Sequence, residues 1–134
     1  MTAETADKIE LGMLRKRSEF LYVRDGLYSA KGGVVIQMRQ HPQRNDGLKV
    51  GFTATKKIGN AVIRNRAKRR LREVARALLP EYGLVGYDYV FIARDNTTAR
   101  IWTDLLDDAR KALITLSKRA NSSDRDNHKK ETAS

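Results

Sequence analysis

A chain of 134 residues with a formal net charge of +11 and a pI of about 10.2 is a single domain by length and needs an anionic partner by charge. Its 40% hydrophobic content excludes wholesale disorder, and its lack of cysteine excludes a disulfide scaffold or a thiolate zinc site. No apolar run approaches the ~20 residues of a membrane span, and the N-terminal MTAETADKIE has acids but no apolar core, so no signal peptide is expected and the cytoplasm is the default location.

Residues 1–10 are expected to be a flexible N-terminus. Ser18 is placed as an N-cap, with Glu19 suiting the positive helix start and Gly26 a left-handed stop, so EFLYVRD predicts a short helix carrying Phe20, Leu21 and Val23. The same run is aromatic and β-branched, which is the argument for a strand instead. Leu27 to Ala30 is a short strand. GGVVIQMRQ and LKVGFTAT alternate with period two, and Asp46-Gly47 between them is hairpin punctuation, so the two are expected to pair as a hairpin.

A helix follows, with Asn60 as its N-cap after the turn residue Gly59 and Pro80 as its end. YDYVFIA is apolar on both faces and is therefore a central strand. RDNTTARI is a loop. In the last helix Trp102, Leu105, Leu106, Ala109, Leu113 and Leu116 recur at helical spacing. Thr103 or Asp104 is expected to cap it, with Asp107 and Asp108 in its early turns and Lys118 and Arg119 in its last. Residues 120–134 are expected to be a disordered polar tail, leaving 11–119 as one domain. Strands before and after a helix give an α+β, two-layer α/β sandwich with a βαβ unit.

The charge is concentrated. From Gly47 to Pro80 there are ten Lys and Arg and one acid, and eight of the eighteen residues of KKIGNAVIRNRAKRRLRE are basic. On a wheel, Ile63, Ala67, Leu71, Val74 and Leu78 form an apolar stripe, with Asn65, Arg69, Arg72 and Arg76 opposite and Arg66, Lys68 and Arg70 on the flanks. Like charges at i,i+4, such as Arg66–Arg70 and Lys68–Arg72, cost a few tenths of a kcal/mol each, and only Arg69–Glu73 offsets them. A solvated face normally mixes signs, so a polyanion that reverses this cost is the preferred explanation. Lys56 and Lys57 lie just upstream of the helix start, where free N–H groups favour an anion, and Arg64, Asn65 and Arg66 occupy its first turns. A membrane-surface helix is disfavoured because the stripe lacks Phe and Trp, and a DNA-reading helix-turn-helix because strands flank this helix.

The same stretch closely resembles the signature of the bacterial ribonuclease P protein component: a basic pair (Lys56, Lys57), Gly59, Ala61-Val62, Arg64-Asn65-Arg66, Lys68-Arg69 and Arg72. VGFTAT, YVFIAR and RKRSEF resemble its flanking segments, so the likeness covers roughly residues 11 to 119. It implies a mixed sheet of about four strands with three helices, and a left-handed crossover around the basic helix, against the right-handed rule that about 98% of such connections follow. It implies a protein subunit whose partner RNA is the catalyst, binding ribonuclease P RNA through Lys56, Lys57, Arg64, Asn65, Arg66, Lys68, Arg69 and Arg72. It implies a cleft between sheet and first helix for the single-stranded 5′ leader of precursor tRNA. Phe20, Lys56, Arg64 and Asn65 match that cleft's residues, while Gln37 stands where some members carry an aromatic. Mg²⁺ held mainly by the RNA, and a monomer in a 1:1 complex, complete the expectation.

No catalytic residue of the protein itself is indicated. His41 lies in a loop and His128 near the C-terminus, neither with a Ser or Asp partner at a suggestive position. Asp104, Asp107 and Asp108 read as complements to a helix start rather than metal ligands. The alternative is a general RNA-binding or ribosome-associated protein without a catalytic partner.

Overall fold

A computed structural model describes residues 11–133, with side chains described through Ser122. The elements are β1 (Leu11–Met13), α1 (Arg17–Arg24), β2 (Leu27–Lys31), β3 (Val34–Gln40), β4 (Leu48–Thr53), a 3₁₀ turn (Lys56–Ile58), α2 (Ala61–Tyr82), β5 (Tyr87–Ala93) and α3 (Trp102–Ala133). The flexible N-terminus expected at 1–10 lies outside the described residues, whereas the tail expected to be disordered from 120 continues the backbone of α3 to Ala133, with side chains described only through Ser122. Ala120, just past the expected domain limit, is buried in the core. Among the described residues no helix is long and apolar enough to cross a membrane.

The five strands lie in the order β1-β4-β5-β3-β2. β4 and β5 are parallel neighbours, which closes the βαβ unit around α2; β1 is parallel to β4, and β3 is antiparallel to both β2 and β5. The apolar β5 is thus the central strand, as its composition requires. One strand more than expected is present, because β1 is a three-residue element too short to show a period.

The expected hairpin of β3 with β4 does not form, since β5 lies between them. The connection instead brackets β5. The His41 N–H donates to the Gly86 carbonyl at 2.9 Å and the Gly86 N–H to the Gly47 carbonyl at 2.8 Å. Arg44 is ion-paired to the buried Asp88 at 2.9 Å. A turn dipeptide fixes a local reversal, but long-range burial decides which strand fills the slot. The true hairpin is β2–β3.

Alternation sorts the sheet into two faces. Val34, Ile36, Met38, Val50, Tyr89 and Phe91 pack with Ala67, Leu71, Val74, Ala75 and Leu79 of α2 and with Leu105, Ala109, Leu113 and Leu116 of α3. That layer is the expected sandwich. On the opposite face Leu14, Val23 and Val90, with Phe20, Tyr22 and Ile92, form a smaller cluster under α1.

Several helix ends differ from expectation. α1 begins at Arg17, so Ser18 is inside it rather than its cap. Glu19 instead reaches back to the helix entry, where its carboxylate accepts from the backbone N–H of Arg15 and of the N-cap Lys16, both at 2.8 Å. These two bonds, that of Lys16 first, hold the Glu19 carboxyl below the usual range. Gly26 does not take a positive φ. It is needed because a Cβ there would sit 2.3 Å from the Met38 carbonyl oxygen. α2 runs two residues past Pro80, whose missing N–H leaves only the carbonyl of the exposed Arg76 without its helical partner. α3 already includes Trp102, so Thr103 and Asp104 lie in its first turn and do not cap it, and Lys118 and Arg119 lie far from its end.

Candidate nucleic-acid interface

α2 starts where the sequence requires. The Asn60 side-chain oxygen accepts the Ile63 N–H at 3.0 Å, which satisfies one of the first open donors. The stripe is rotated slightly from the wheel reading: Ala67, Leu71, Val74, Ala75 and Leu79 are buried, while Ile63 and Leu78 are only half-buried.

Lys56, Lys57, Asn65, Arg66, Arg69 and Arg72 are exposed, and Arg64 and Lys68 half-buried. Among the described residues the one ion pair made by an α2 cation is Arg76–Glu73 at 2.8 Å, so Glu73 serves Arg76 and not the expected Arg69. Arg64 donates to the Gly59 carbonyl at 2.8 Å, which ties the helix start to the turn before it. Arg72 is placed over the Phe52 ring at 5.6 Å, within cation–π reach, and Phe52 packs tilted on Phe91 at 5.8 Å. Apart from Arg76, the outward face is therefore a run of cations without counter-charges among the described residues, with Arg64 and Arg72 fixed by carbonyl and aromatic contacts.

A cleft of about 530 Å³ opens between α1 and the second face of the sheet. Phe20 and Gln37 line it, as expected of the leader cleft. Lys56, Arg64 and Asn65 are not among its lining residues. The α2 residue that reaches it is Lys68, and Arg15, Arg17 and Arg24 contribute charge from the other rim. Phe52 closes the wall beside Lys68. The basic RKR run at the helix start is the sequence signal for Arg15 and Arg17, whereas Arg24, at the far end of the helix, has none. Phe52 was assigned only to a strand face. Phe20 has two roles: it packs on the α1 cluster and lines the cleft.

Carboxylates are committed elsewhere. Asp108 accepts the Gly33 N–H at 2.8 Å and both arms of Arg100 at 2.8 and 3.1 Å. Asp107 pairs with Arg110 and Lys111, and these bonds, that of Lys111 first, hold its carboxyl below the ordinary range. Among the described residues no group of three or more His, Cys, Asp or Glu is disposed to hold a metal ion. The described side chains thus offer no set of oxygen ligands of the kind a Mg²⁺ ion needs.

The arrangement can neutralise phosphates along α2 and accept an extended, unpaired strand in the neighbouring cleft. The family described as Ribonuclease P matches residues 11–117. The chain is 52% identical over 114 residues to the ribonuclease P protein component of Caulobacter vibrioides, covering 85% of this chain and 76% of that one. It is 50% identical over 105 residues to that of Ruegeria pomeroyi, covering 77% and 84%. The solved structure of the RNase P protein from Thermotoga maritima superposes with a TM-score of 0.59 at 28% identity, covering 80% of this chain and 96% of that one. The chain belongs to the ribonuclease P protein family.

Proposed function

We propose that the chain is the protein subunit of a ribonucleoprotein endoribonuclease that matures the 5′ end of tRNA, with the chemistry in the RNA. The observation that carries this is the un-neutralised outer face of α2, continuous through Lys68 and Phe52 with the cleft under α1. Lys56, Lys57, Arg64, Asn65, Arg66, Lys68, Arg69 and Arg72 contact ribonuclease P RNA, their charge offsetting phosphate repulsion in its folded form. Planar guanidinium groups suit this better than amines because they meet phosphate oxygens in pairs.

The cleft takes the 5′ leader of precursor tRNA. Phe20 and Phe52 offer ring faces to unpaired bases, and the Gln37 amide can donate and accept at a base edge. Arg15, Arg17, Arg24 and Lys68 follow the backbone. In this reading Lys56, Arg64 and Asn65 serve the RNA face or the approach to the cleft rather than its walls. Mg²⁺ is held mainly by RNA phosphates. The subunit works in the cytoplasm as a monomer, one to each RNA.

Cleavage of precursor tRNA by a bacterial ribonuclease P RNA at low Mg²⁺ tests the proposal: added protein should stimulate 5′ cleavage, and no stimulation would overturn it. In the same assay Phe20→Leu should spare binding of the RNA subunit but lower the preference for precursor over mature tRNA. An unchanged ratio would remove Phe20 from the leader path.

A further inference from the structure

Trp102 does not belong to the core. It begins the apolar stripe of α3, yet it joins neither buried cluster and remains 38% exposed, beside Ile101 at 67%. A Trp that keeps more than a third of its large surface in water leaves much apolar area unburied, so its position calls for a reason.

Its surroundings are built. The loop from β5 to α3 is gathered onto one side chain of the basic helix: Arg70 donates to the carbonyls of Thr97 at 2.7 Å, Thr98 at 3.2 Å and Arg100 at 2.6 Å. The same guanidinium lies 5.7 Å from the Trp102 ring centroid. Thr97 is itself buried and donates to the Gly33 carbonyl at 2.7 Å, which locks the loop to the sheet. One arginine of α2 thus faces inward to hold an indole, while Arg66, a turn before it, and the adjacent Arg69 face solvent.

We propose that Trp102 is a stacking platform for an unpaired base of the RNA held by α2, which extends the RNA face across the 94–102 loop on the flank away from the α1 cleft. The proposal rests on the RNA-binding reading above. An indole offers the largest π face among side chains, stacking tolerates any base, and the Arg70 guanidinium beside it, on the helix that carries the unpaired cations, favours a polyanion over an apolar protein surface. The platform is fixed before binding, so little ordering cost opposes the contact.

The chain has one Trp, so its fluorescence reports this site alone. Acrylamide quenching of the full-length wild-type protein should fall at least about twofold on saturation with a bacterial ribonuclease P RNA. Trp102→Ala should weaken RNA binding by about tenfold, and Trp102→Phe by much less, since a smaller ring still stacks. The wild-type quenching measurement does not depend on whether a variant folds. RNA binding that leaves acrylamide quenching of Trp102 as it is in the free protein would overturn the platform and leave the RNA-binding reading intact. Absence of RNA binding by the wild type would overturn that reading and the platform with it. Shielding that grows with protein concentration without RNA would overturn the platform in favour of a second copy of the chain.

Discussion

α2 and α3 do the same work on their inner sides and opposite work on their outer sides. Both dock an apolar stripe on one face of the sheet and share a core. Outside, α3 mixes its charges, and Asp107 pairs with Arg110 and Lys111 one turn on. α2 sets Arg66–Arg70 and Lys68–Arg72 against each other at i,i+4 and pairs only Arg76 with Glu73 among its described cations. Two helices on one scaffold show that the fold does not need the repulsion it tolerates in α2. Pairing of the α3 kind was available there and is missing, so the outer face of α2 serves something outside the molecule.

The sharpest way to break this contrast is to remove α2 charge. Arg66→Ala combined with Arg69→Ala should weaken RNA binding by about a hundredfold and flatten its salt dependence by up to about one unit of slope per lost phosphate contact. Thermal stability should stay within about 0.5 kcal/mol, because Ala favours helix and a like-charge pair is relieved. A stability loss above ~1 kcal/mol with an unchanged salt slope would mean these side chains serve the fold.

The converse holds for α3. Asp108→Ala strands the Gly33 N–H and the Arg100 guanidinium and should cost about 2 kcal/mol by denaturant unfolding, a value moderated because Arg100 is partly solvated. RNA affinity of the folded variant should change far less than in the α2 double variant, because Asp108 touches the RNA face only through Arg100 of the 94–102 loop.

The smallest effect is one of pH. The folded carboxyl of Asp107 lies below its unfolded value, so its pairing adds stability above the ordinary Asp range and loses it as pH falls through the depressed folded value. The melting-temperature difference between wild type and Asp107→Asn should be constant near neutrality and vanish in acid. No such trend is expected for Arg69→Ala.

Local chemistry was legible in the sequence where the cause is local. Asn60 caps α2 because its side chain needs only the first turn, and β5 reads as central because both its faces are apolar. The misreadings come from contacts distant in sequence. Asp46-Gly47 announces a turn but cannot say that β5 will occupy the place between β3 and β4. Trp102 has the spacing of a core residue, and nothing nearby in sequence reveals that Arg70, thirty-two positions earlier, holds it at the surface. Lys68 was foreseen as a cation of the helix, but its place in the cleft wall depends on how α2 crosses β4. Arg15, Arg17 and Arg24 entered the cleft only once α1 was known to lie on the face opposite α2.

Gly51, in β4, lies beneath the Phe20 ring with no side chain of its own. A Cβ there would stand 2.5 Å from Cε2 and Cζ of Phe20 and 3.1 Å from Cβ of Leu14. The seat of Phe20, and with it one wall of the channel, therefore depends on a single missing methyl in β4. Any larger residue at that point lifts the ring and shallows the passage, with every positive charge left where it was. Gauge and grip are separate controls in this molecule, and a lineage could retune which strands slide through without altering what it clings to.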